Sequence, residues 1–349
     1  MPLTLHVDAA RWREHVRSYV ASHAGVVPVV KGNGYGFGNE VLAAEAARLG
    51  VRTIAVGTYD EVAEVERAFG GDLLVLSPWR PGLPTARLDD PRVVHTVSRL
   101  EDLRAVAASG HRPRVVVEVL TSMRRHGIGT GDIDPAVDLL DGVHFAGWAL
   151  HLPLSGDREG EARSLLPRLV RTAGSPGDRL WVSHLQPAAA GRIAADTGTE
   201  VRLRVGTALW LGDRGALAPR ATVIDVHHLS RGDSYGYRQR RARADGWLLV
   251  LAGGTSNGVA LEAPTAAATL RQRAVALAHG GLSAVGRALS PYQVGGRQRW
   301  FAEPPHMQCS LVWLPSSVSP PAVGDEVALE VRYTTTSFDH LTWGDPGPE

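Results

Sequence analysis

Short apolar runs alternate with helical patterns through the first part of the chain. Runs of this length, rich in β-branched side chains, are typical of buried strands in a parallel sheet. The segment Asn39–Leu49 is the clearest helix between them, because Leu42 and Ala46 share one face and Asn39 stands where an N-cap would be. Eight such runs are present: Val26–Val30, Ile54–Gly57, Leu73–Leu76, Val93–Val97, Val115–Val119, Phe145–Leu150, Leu180–Val182 and Val201–Val205.

Eight strands alternating with helices over roughly 200 residues fit a (β/α)8 barrel, and the pattern alone leaves a doubly wound parallel sheet as the alternative. After about residue 215 helical patterns become few, which predicts an antiparallel β domain. We therefore predict a barrel domain over residues 1–215 and a β domain over residues 216–349, with residues 1–8 able to pair with the β domain. The clearest strands there are Ala221–His228, Trp247–Ala252, Ser310–Leu314 and Glu326–Tyr333, and Ala266–Ala278 is either a helix or a strand.

Composition narrows the class of protein. The chain has 349 residues, with 37 basic and 36 acidic side chains, and this balance gives no reason to expect nucleic acid or an anionic membrane as a partner. Cys309 is the only cysteine, so an intrachain disulfide is impossible. The first residues lack a signal-peptide pattern, and no apolar run is long enough to span a bilayer. These features favour a cytoplasmic protein, and we expect no metal.

Polar side chains follow several of the predicted strands. Lys31 ends the first apolar run and is followed by a glycine-rich turn. A lysine at the mouth of a buried strand is partly desolvated, so its pKa can fall and its amine can act as a nucleophile or base. Because active sites of (β/α)8 barrels form at the carboxyl ends of the strands, we expect these side chains to share one site. The other members of the set are Arg125, His151, His184 and Arg204.

The segment that contains Lys31 resembles the pyridoxal-phosphate lysine motif of the alanine racemase family, V-V-K-A-N-A-Y-G-H-G. Around the lysine, this chain keeps Asn33, Tyr35, Gly36 and Gly38. The resemblance implies the same architecture, a barrel followed by a β domain. It also implies that Lys31 forms a Schiff base with pyridoxal 5'-phosphate and that Tyr35 hydrogen-bonds the phosphate.

Arg204 lies in a second stretch, Leu203–Gly212, that resembles the family motif V-R-x-G-x-A-x-Y-G. The implied place of this arginine is beside the pyridine nitrogen, where a permanent cation disfavours protonation of the ring. The cofactor is then a weaker electron sink, which suits racemisation, whereas fold-related decarboxylases place a carboxylate there. The resemblance also implies that the backbone amides of Gly206 and Thr207 bind the phosphate.

Three more positions match family segments. Arg125 corresponds to the arginine of D-T-G-M-G-R-L-G, and its guanidinium would hold the substrate carboxylate. His151 corresponds to the histidine of T-H-F and would support Arg204 or the catalytic tyrosine. His184 corresponds to the start of H-x-x-N-S and would lie beside the cofactor ring.

The β domain carries the other half of the implied site. Tyr235 lies in Gly232–Gly236, which resembles G-x-x-V-S-Y-G, and would act as the second base. In the family this tyrosine reaches into the barrel of a partner subunit, so the resemblance implies a homodimer with shared active sites. Met307 would offer its backbone N–H to the substrate carboxylate.

The chain departs from the family at several places. Pro187 and Ala188 replace Asn-Ser, Thr255 replaces an aromatic residue, and Gln308 replaces an aspartate. We therefore expect a pyridoxal-phosphate-dependent amino-acid racemase that uses two bases, with alanine as the leading substrate. The alternatives are a racemase for a larger amino acid, a fold-related decarboxylase and a non-catalytic cofactor-binding paralogue.

Overall fold

The structure is a computed structural model, and it describes residues 2–83, 86–169, 179–261 and 288–344. The chain divides into two compact units. One is Arg13–Gly212, here called the barrel unit, and the other combines Met1–Trp12 with Asp213–Glu349, here called the β unit. The region Ala266–Ala278, for which we left helix or strand open, lies outside the described residues.

Eight parallel strands form the sheet of the barrel unit, which confirms the predicted fold and excludes the doubly wound alternative. Their order is β2-β9-β8-β7-β6-β5-β4-β3, and a parallel bridge between Val29 and Ala55 joins the two ends of this path. The strands are β2 Val26–Pro28, β3 Thr53–Val56, β4 Asp72–Val75, β5 Val93–Val97, β6 Arg114–Val119, β7 His144–His151, β8 Arg179–Ser183 and β9 Glu200–Val205.

Helices follow most of these strands, as the alternating pattern predicts. They are α2 Asn39–Arg48, α3 Asp60–Val65, α4 Leu100–Ala107, α5 Ile133–Val137, α6 Arg158–Leu169, α7 Pro187–Thr197 and α8 Thr207–Trp210, and α1 Ala9–Ala21 precedes β2. The expected cap of α2 was wrong, because Gly38 is the N-cap and Asn39 is the first helical residue. Pro187 opens α7, a position where its missing N–H costs no helical hydrogen bond.

Small and β-branched side chains fill the interior of the barrel. The largest side chain of this interior cluster is Trp181. Its indole Nε1 donates to the Ala146 carbonyl at 2.8 Å. On β5, His95 is completely buried and its Nδ1 lies 3.0 Å from the Tyr59 hydroxyl. The remaining members of the cluster are Val27, Val29, Ala55, Leu74, Val94, Val116 and Ala149.

The β unit is built on a second eight-stranded sheet that is mostly antiparallel. Its main path runs β15-β14-β17-β10-β1-β18, and β13 pairs with both β10 and β16. The first strand, β1, lies antiparallel to β10 and parallel to β18. The strands are β1 Leu3–Asp8, β10 Leu217–Leu229, β13 Gly246–Ala252, β14 Leu289–Gln293, β15 Gln298–Trp300, β16 Cys309–Pro315, β17 Glu326–Leu329 and β18 His340–Gly344, with a separate hairpin of β11 Ser234–Tyr235 and β12 Arg240–Arg241.

The core of the β unit is centred on Tyr292, which is completely buried and whose hydroxyl lies within 2.9 Å of the Ala252 and Gly253 carbonyls. Leu3 of β1 belongs to the same core, so the first residues of the chain are part of this unit. Within the described ranges, no helix is both long enough and apolar enough to cross a lipid bilayer.

Candidate active site

Lys31 lies just beyond β2, where the barrel closes. The preceding residue, Val30, donates its backbone N–H to the Ala55 carbonyl at 2.7 Å, which fixes the segment beside β3. Burial lowers the pKa of the Lys31 amine, and the cations of Arg125 and Arg204 lower it further, while Glu61 opposes the shift. The amine is therefore easier to deprotonate than a free lysine, as a nucleophile or base requires.

Glu61 fixes the turn that follows this lysine. Its carboxylate accepts hydrogen bonds from Gly32 N at 2.8 Å and from Gly57 N at 2.6 Å. Asn39 adds a second tie, since its Nδ2 donates to the Gly32 carbonyl at 2.9 Å and to Glu64 Oε2 at 2.7 Å. The backbone after Lys31 is thus held by side chains from α2 and α3.

Tyr35 is buried in the same turn and contacts the end of β9. Its φ of 55° lies in the left-handed region, and the residue is only 6% exposed. A Cβ at Gly206 would lie 1.9 Å from Tyr35 Oη, so glycine is needed for this close approach. Burial raises the pKa of Tyr35 to about 12, so its hydroxyl keeps its proton and can donate a hydrogen bond.

Arg204 on β9 is buried at the same end of the barrel. Its Nη2 donates to the Leu150 carbonyl at 2.8 Å, whereas its Nε has no partner within the described residues. Burial lowers the pKa of Arg204 to about 10, and Glu118 opposes that shift. Glu118, on β6, is 2% exposed, so a buried carboxylate balances part of this cationic cluster.

The side chain of Arg125 contacts the ring of His151. Arg125 Nη2 lies 3.0 Å from His151 Nδ1, and because guanidinium only donates, Nδ1 must accept. Burial, followed by Arg204 and Arg125, lowers the pKa of His151 to about 2, which is consistent with a neutral ring. His151 thus contacts Arg125, while the expectation that it supports Arg204 or the catalytic tyrosine stays a prediction.

His184 follows β8 and completes the group of side chains at the barrel end. Its ring meets His151 edge to face at 4.9 Å, and its Nδ1 donates to the Leu152 carbonyl at 2.7 Å. Desolvation lowers the pKa of His184, although the Leu152 contact opposes the shift. Gly206 is the N-cap residue of α8 and Thr207 begins that short helix, so both lie directly after the strand of Arg204.

Tyr235 belongs to the β unit, on β11. It is partly buried, its ring lies 6.4 Å from that of Trp313, and its hydroxyl is 3.5 Å from the Ala302 carbonyl. Arg240 and Trp300 line the same pocket of about 520 Å³. The described contacts of this tyrosine are all within its own unit.

Met307 lies in the segment Glu303–Cys309 of the β unit, and 73% of it is exposed. The Met307 carbonyl accepts two hydrogen bonds from Ser256, one from the backbone N at 2.9 Å and one from the side-chain hydroxyl at 2.5 Å. Thr255 N donates to the His306 carbonyl at 2.8 Å, so backbone hydrogen bonds join the segment around Thr255 to the segment around Met307. Both residues line a cavity of about 740 Å³.

Two acidic residues of the barrel end were missed by sequence reasoning. Glu118 could have been noticed as the charged residue inside the apolar run Val115–Val119, because a lone carboxylate in a buried strand needs a partner. Glu61 lies four residues after the predicted run Ile54–Gly57. The basic candidates were found by the same criterion, a polar side chain shortly after a predicted strand. Among the described residues, no cluster of three or more His, Cys, Asp or Glu could hold a metal ion.

Comparison with known families identifies the family to which this barrel belongs. A family model described as the N-terminal domain of alanine racemase matches residues 7–212. The match covers more than half of the chain, and the chain therefore belongs to the alanine racemase family. Proteins of this family depend on pyridoxal phosphate.

Curated relatives agree with this assignment at low identity. Alanine racemase of Mycolicibacterium vanbaalenii is 28% identical over 278 residues, which is 72% of this chain and 70% of that protein. Alanine racemase of Mycobacterium tuberculosis is 29% identical over 252 residues, which is 64% of this chain and 63% of that protein. The second match spans less than two thirds of the relative's own length.

Solved structures extend the likeness to the whole fold. Alanine racemase of Bartonella henselae, solved with covalently bound pyridoxal phosphate, has a TM-score of 0.72 at 14% identity and covers 98% of this chain and 99% of its own. Biosynthetic alanine racemase of Pseudomonas aeruginosa has a TM-score of 0.68 at 20% identity, over 95% of this chain and 91% of its own. At these identities the likeness concerns the fold, and it confirms a (β/α)8 barrel with a β domain.

The barrel end fits a phosphorylated aldehyde such as pyridoxal phosphate in three respects. Lys31 offers an amine whose pKa is lowered, and Tyr35 offers a protonated hydroxyl against the backbone of Gly206. Arg204 has a buried Nε that lacks a partner in the described part of the chain. An acceptor atom supplied by a ligand would satisfy that donor.

Proposed function

We propose that the chain is an amino-acid racemase that interconverts L- and D-amino acids, with alanine as the leading substrate. The observation that carries the proposal is the location of Lys31 at the closing strand of a family barrel, with the buried cation of Arg204 at the same end. An arginine beside the ring favours racemisation over decarboxylation, because it disfavours protonation of the pyridine nitrogen.

The residues that would hold the cofactor are Lys31, Tyr35, Arg204 and the backbone of Gly206 and Thr207. Bound there, pyridoxal phosphate would acidify the α-carbon proton of the amino acid that it carries. The protein then needs one base on each face of that carbon and a group that fixes the carboxylate.

Lys31 Nζ is the proposed base on one face, and its lowered pKa supports this role because a base must be partly unprotonated. Tyr235 Oη is the proposed acid and base on the other face. By resemblance to the family, that tyrosine comes from a second copy of the chain, so the proposal includes a homodimer with shared sites. When one of these groups removes the α-proton from its own face, the other would donate a proton to the opposite face.

Arg125 is the proposed carboxylate ligand, since a guanidinium can donate two parallel hydrogen bonds. His151 would hold it in place through the 3.0 Å contact, and a neutral ring is required for His151 to accept from Arg125. The backbone N–H of Met307 would add a second contact to the substrate carboxylate, and His184 would lie beside the cofactor.

Exchange of the α-proton tests the function directly. The holoprotein should incorporate deuterium from heavy water at Cα of alanine and should convert L-alanine to a racemic mixture. Lys31→Ala should lose this activity by at least about a thousandfold, because nucleophile and base are removed together. Carbon dioxide release without exchange would favour a decarboxylase, and cofactor binding with neither reaction would favour a non-catalytic paralogue.

Attachment of the cofactor can be tested separately from activity. Borohydride treatment of the holoprotein should fix the cofactor covalently, and peptide mapping should place it on the peptide that contains Lys31. An adduct on another lysine, or none after incubation with pyridoxal phosphate, would overturn the assignment of Lys31.

A further inference from the structure

A thiol, an imidazole and a buried carboxylate contact one another in that order on the segment Glu303–Cys309 of the β unit. Cys309 Sγ is 3.8 Å from His306 Nδ1, and His306 Nε2 is 2.6 Å from Glu303 Oε1. The Glu303 side chain is only 2% exposed, whereas that of His306 is 20% exposed. This is the order of groups in which a carboxylate orients a histidine and the histidine activates a nucleophile.

Backbone hydrogen bonds hold the segment in this arrangement. Thr255 N donates to the His306 carbonyl at 2.8 Å, and His306 N donates to the Cys309 carbonyl at 2.9 Å. A Cβ at Gly254 would lie 2.2 Å from the His306 carbonyl oxygen, so glycine permits the contact between the two segments. The Tyr237 ring lies against the imidazole with centroids 4.3 Å apart. The imidazole is therefore positioned before any reagent arrives.

All three groups line the cavity of about 740 Å³ that also contains Thr255 and Met307. Cys309 is partly exposed, so a small molecule in the cavity can reach its sulfur. Arg238 lines the same cavity and gives it a cationic wall. The charged and titratable side chains around His306 are Glu303, Tyr237, Arg238 and Cys309.

We propose that Cys309 is a thiol–disulfide exchange site for small anionic disulfides, with His306 as its base and Glu303 as the group that orients His306. The Cys309 proton passes to His306 Nδ1, and the thiolate attacks one sulfur of the disulfide. A new S–S bond forms to Cys309 as the reagent's S–S bond breaks. The leaving thiolate departs with the electron pair and takes up the proton, so Cys309 is oxidised and half of the reagent is reduced.

The need for a base follows from the environment of the thiol. Burial and the nearby Glu303 carboxylate raise the pKa of Cys309, so little thiolate exists near neutral pH without help. A base matters most below the thiol pKa and becomes unnecessary above it. This gives a pH signature that a merely structural hydrogen bond would not produce.

The test uses the full-length holoprotein and two probes, anionic 5,5'-dithiobis(2-nitrobenzoate) and neutral 2,2'-dithiodipyridine. Because Cys309 is the only cysteine, released chromophore reports this site alone. His306→Gln should slow the reaction at pH 7 by at least about tenfold, and the difference should close at alkaline pH. Glu303→Gln, which keeps the shape of the side chain, should slow it by a smaller factor.

His228→Gln is the matched control, since His228 packs on Trp247 in the same unit and lies outside the cavity lining. It should react at the wild-type rate, and Arg238→Gln should lower only the preference for the anionic probe. Thermal melting should show that each variant is folded. Equal rates for folded Glu303→Gln, His306→Gln and wild type at pH 7 would overturn the proposal. The outcome does not depend on racemase activity.

Discussion

The barrel unit and the β unit organise reactive side chains in different ways. In the barrel unit, Lys31 and Arg204 come from the ends of β2 and β9, which are neighbours in the sheet and lie far apart in sequence. In the β unit, Glu303, His306 and Cys309 come from one seven-residue segment. The barrel site is fixed by strand order, whereas the arrangement in the β unit depends on one turn and its hydrogen bonds.

The electrostatics differ in the same sense. The barrel end collects cations, and burial together with these cations lowers the pKa values of Lys31 and His151, with Glu118 as a buried counter-charge. In the segment of the β unit, the buried carboxylate of Glu303 contributes to the raised pKa of Cys309. A cationic site suits an anionic cofactor and a carboxylate substrate, whereas the carboxylate beside Cys309 leaves that thiol dependent on a base. Four predictions test this contrast.

The largest effect should come from complementation between the two units. Lys31→Ala should lower racemisation by at least about a thousandfold, and Tyr235→Phe by about a hundredfold or more, because each removes one of the two proposed bases and Lys31 is also the nucleophile. Mixing the two inactive proteins should restore part of the activity, since some hybrid dimers would contain one intact site. Subunit exchange must be shown separately with differently tagged chains. If subunits exchange and the hybrid dimers show no activity, the proposal that two subunits share each active site is contradicted.

Gly206→Ala should perturb the barrel site through space alone. The new Cβ would lie 1.9 Å from Tyr35 Oη, so the tyrosine must move, and we expect a loss of about 1–3 kcal/mol in the free energy of unfolding together with weaker cofactor binding. Urea unfolding and cofactor titration would measure both. Gly191→Ala, within α7 and with no atom within 4 Å of its Cβ, should instead be stabilising by about 0.5–1 kcal/mol.

Thr255→Tyr should change selectivity from the side of the β unit. If Thr255 borders the substrate entrance, a bulky side chain there should suppress exchange of a larger amino acid by about tenfold more than that of alanine. Deuterium incorporation over a panel of amino acids would measure the ratio. The same ratio in Thr255→Ser should stay near wild type, and an unchanged ratio in Thr255→Tyr would place the entrance elsewhere.

The smallest effect concerns pH and the interior of the barrel. Burial lowers the pKa of His95 to about 4, so below its ordinary pKa the unfolded chain binds a proton that the folded chain does not. Stability should therefore fall as the pH drops from 7 to 5.5, by about 1 kcal/mol more in the wild type than in His95→Gln. Urea unfolding at both pH values measures this difference. A parallel loss in both proteins would assign it to other groups.

The barrel strands could be predicted because both faces of a parallel strand are buried, so each strand is a nearly continuous apolar run. Each observed strand, β2 to β9, overlaps its predicted run. The candidate site residues at strand ends follow from a second rule, that active sites of (β/α)8 barrels form at the carboxyl ends of the strands. Glu118 escaped notice because it lies within a run, where its charge is balanced by residues from other strands.

The β unit was harder to predict for physical reasons. The hairpin of β11 and β12 has two residues on each side, too few to show alternation. The run predicted as Glu326–Tyr333 ends as a strand at Leu329. The line of Glu303, His306 and Cys309 depends on hydrogen bonds to Thr255 and its neighbours, about fifty residues away in sequence. No local pattern records such a pairing.

The place of β1 between β10 and β18 has a consequence for synthesis of the chain. Leu3 N donates to Asp339 Oδ2 at 2.8 Å, a contact that joins residues 336 positions apart. A ribosome therefore releases the first strand long before its parallel neighbour exists, and β1 must wait with an unpaired edge while residues 13–212 emerge. Such distant pairing is slow to form, so completion of the β unit would be the late event in folding.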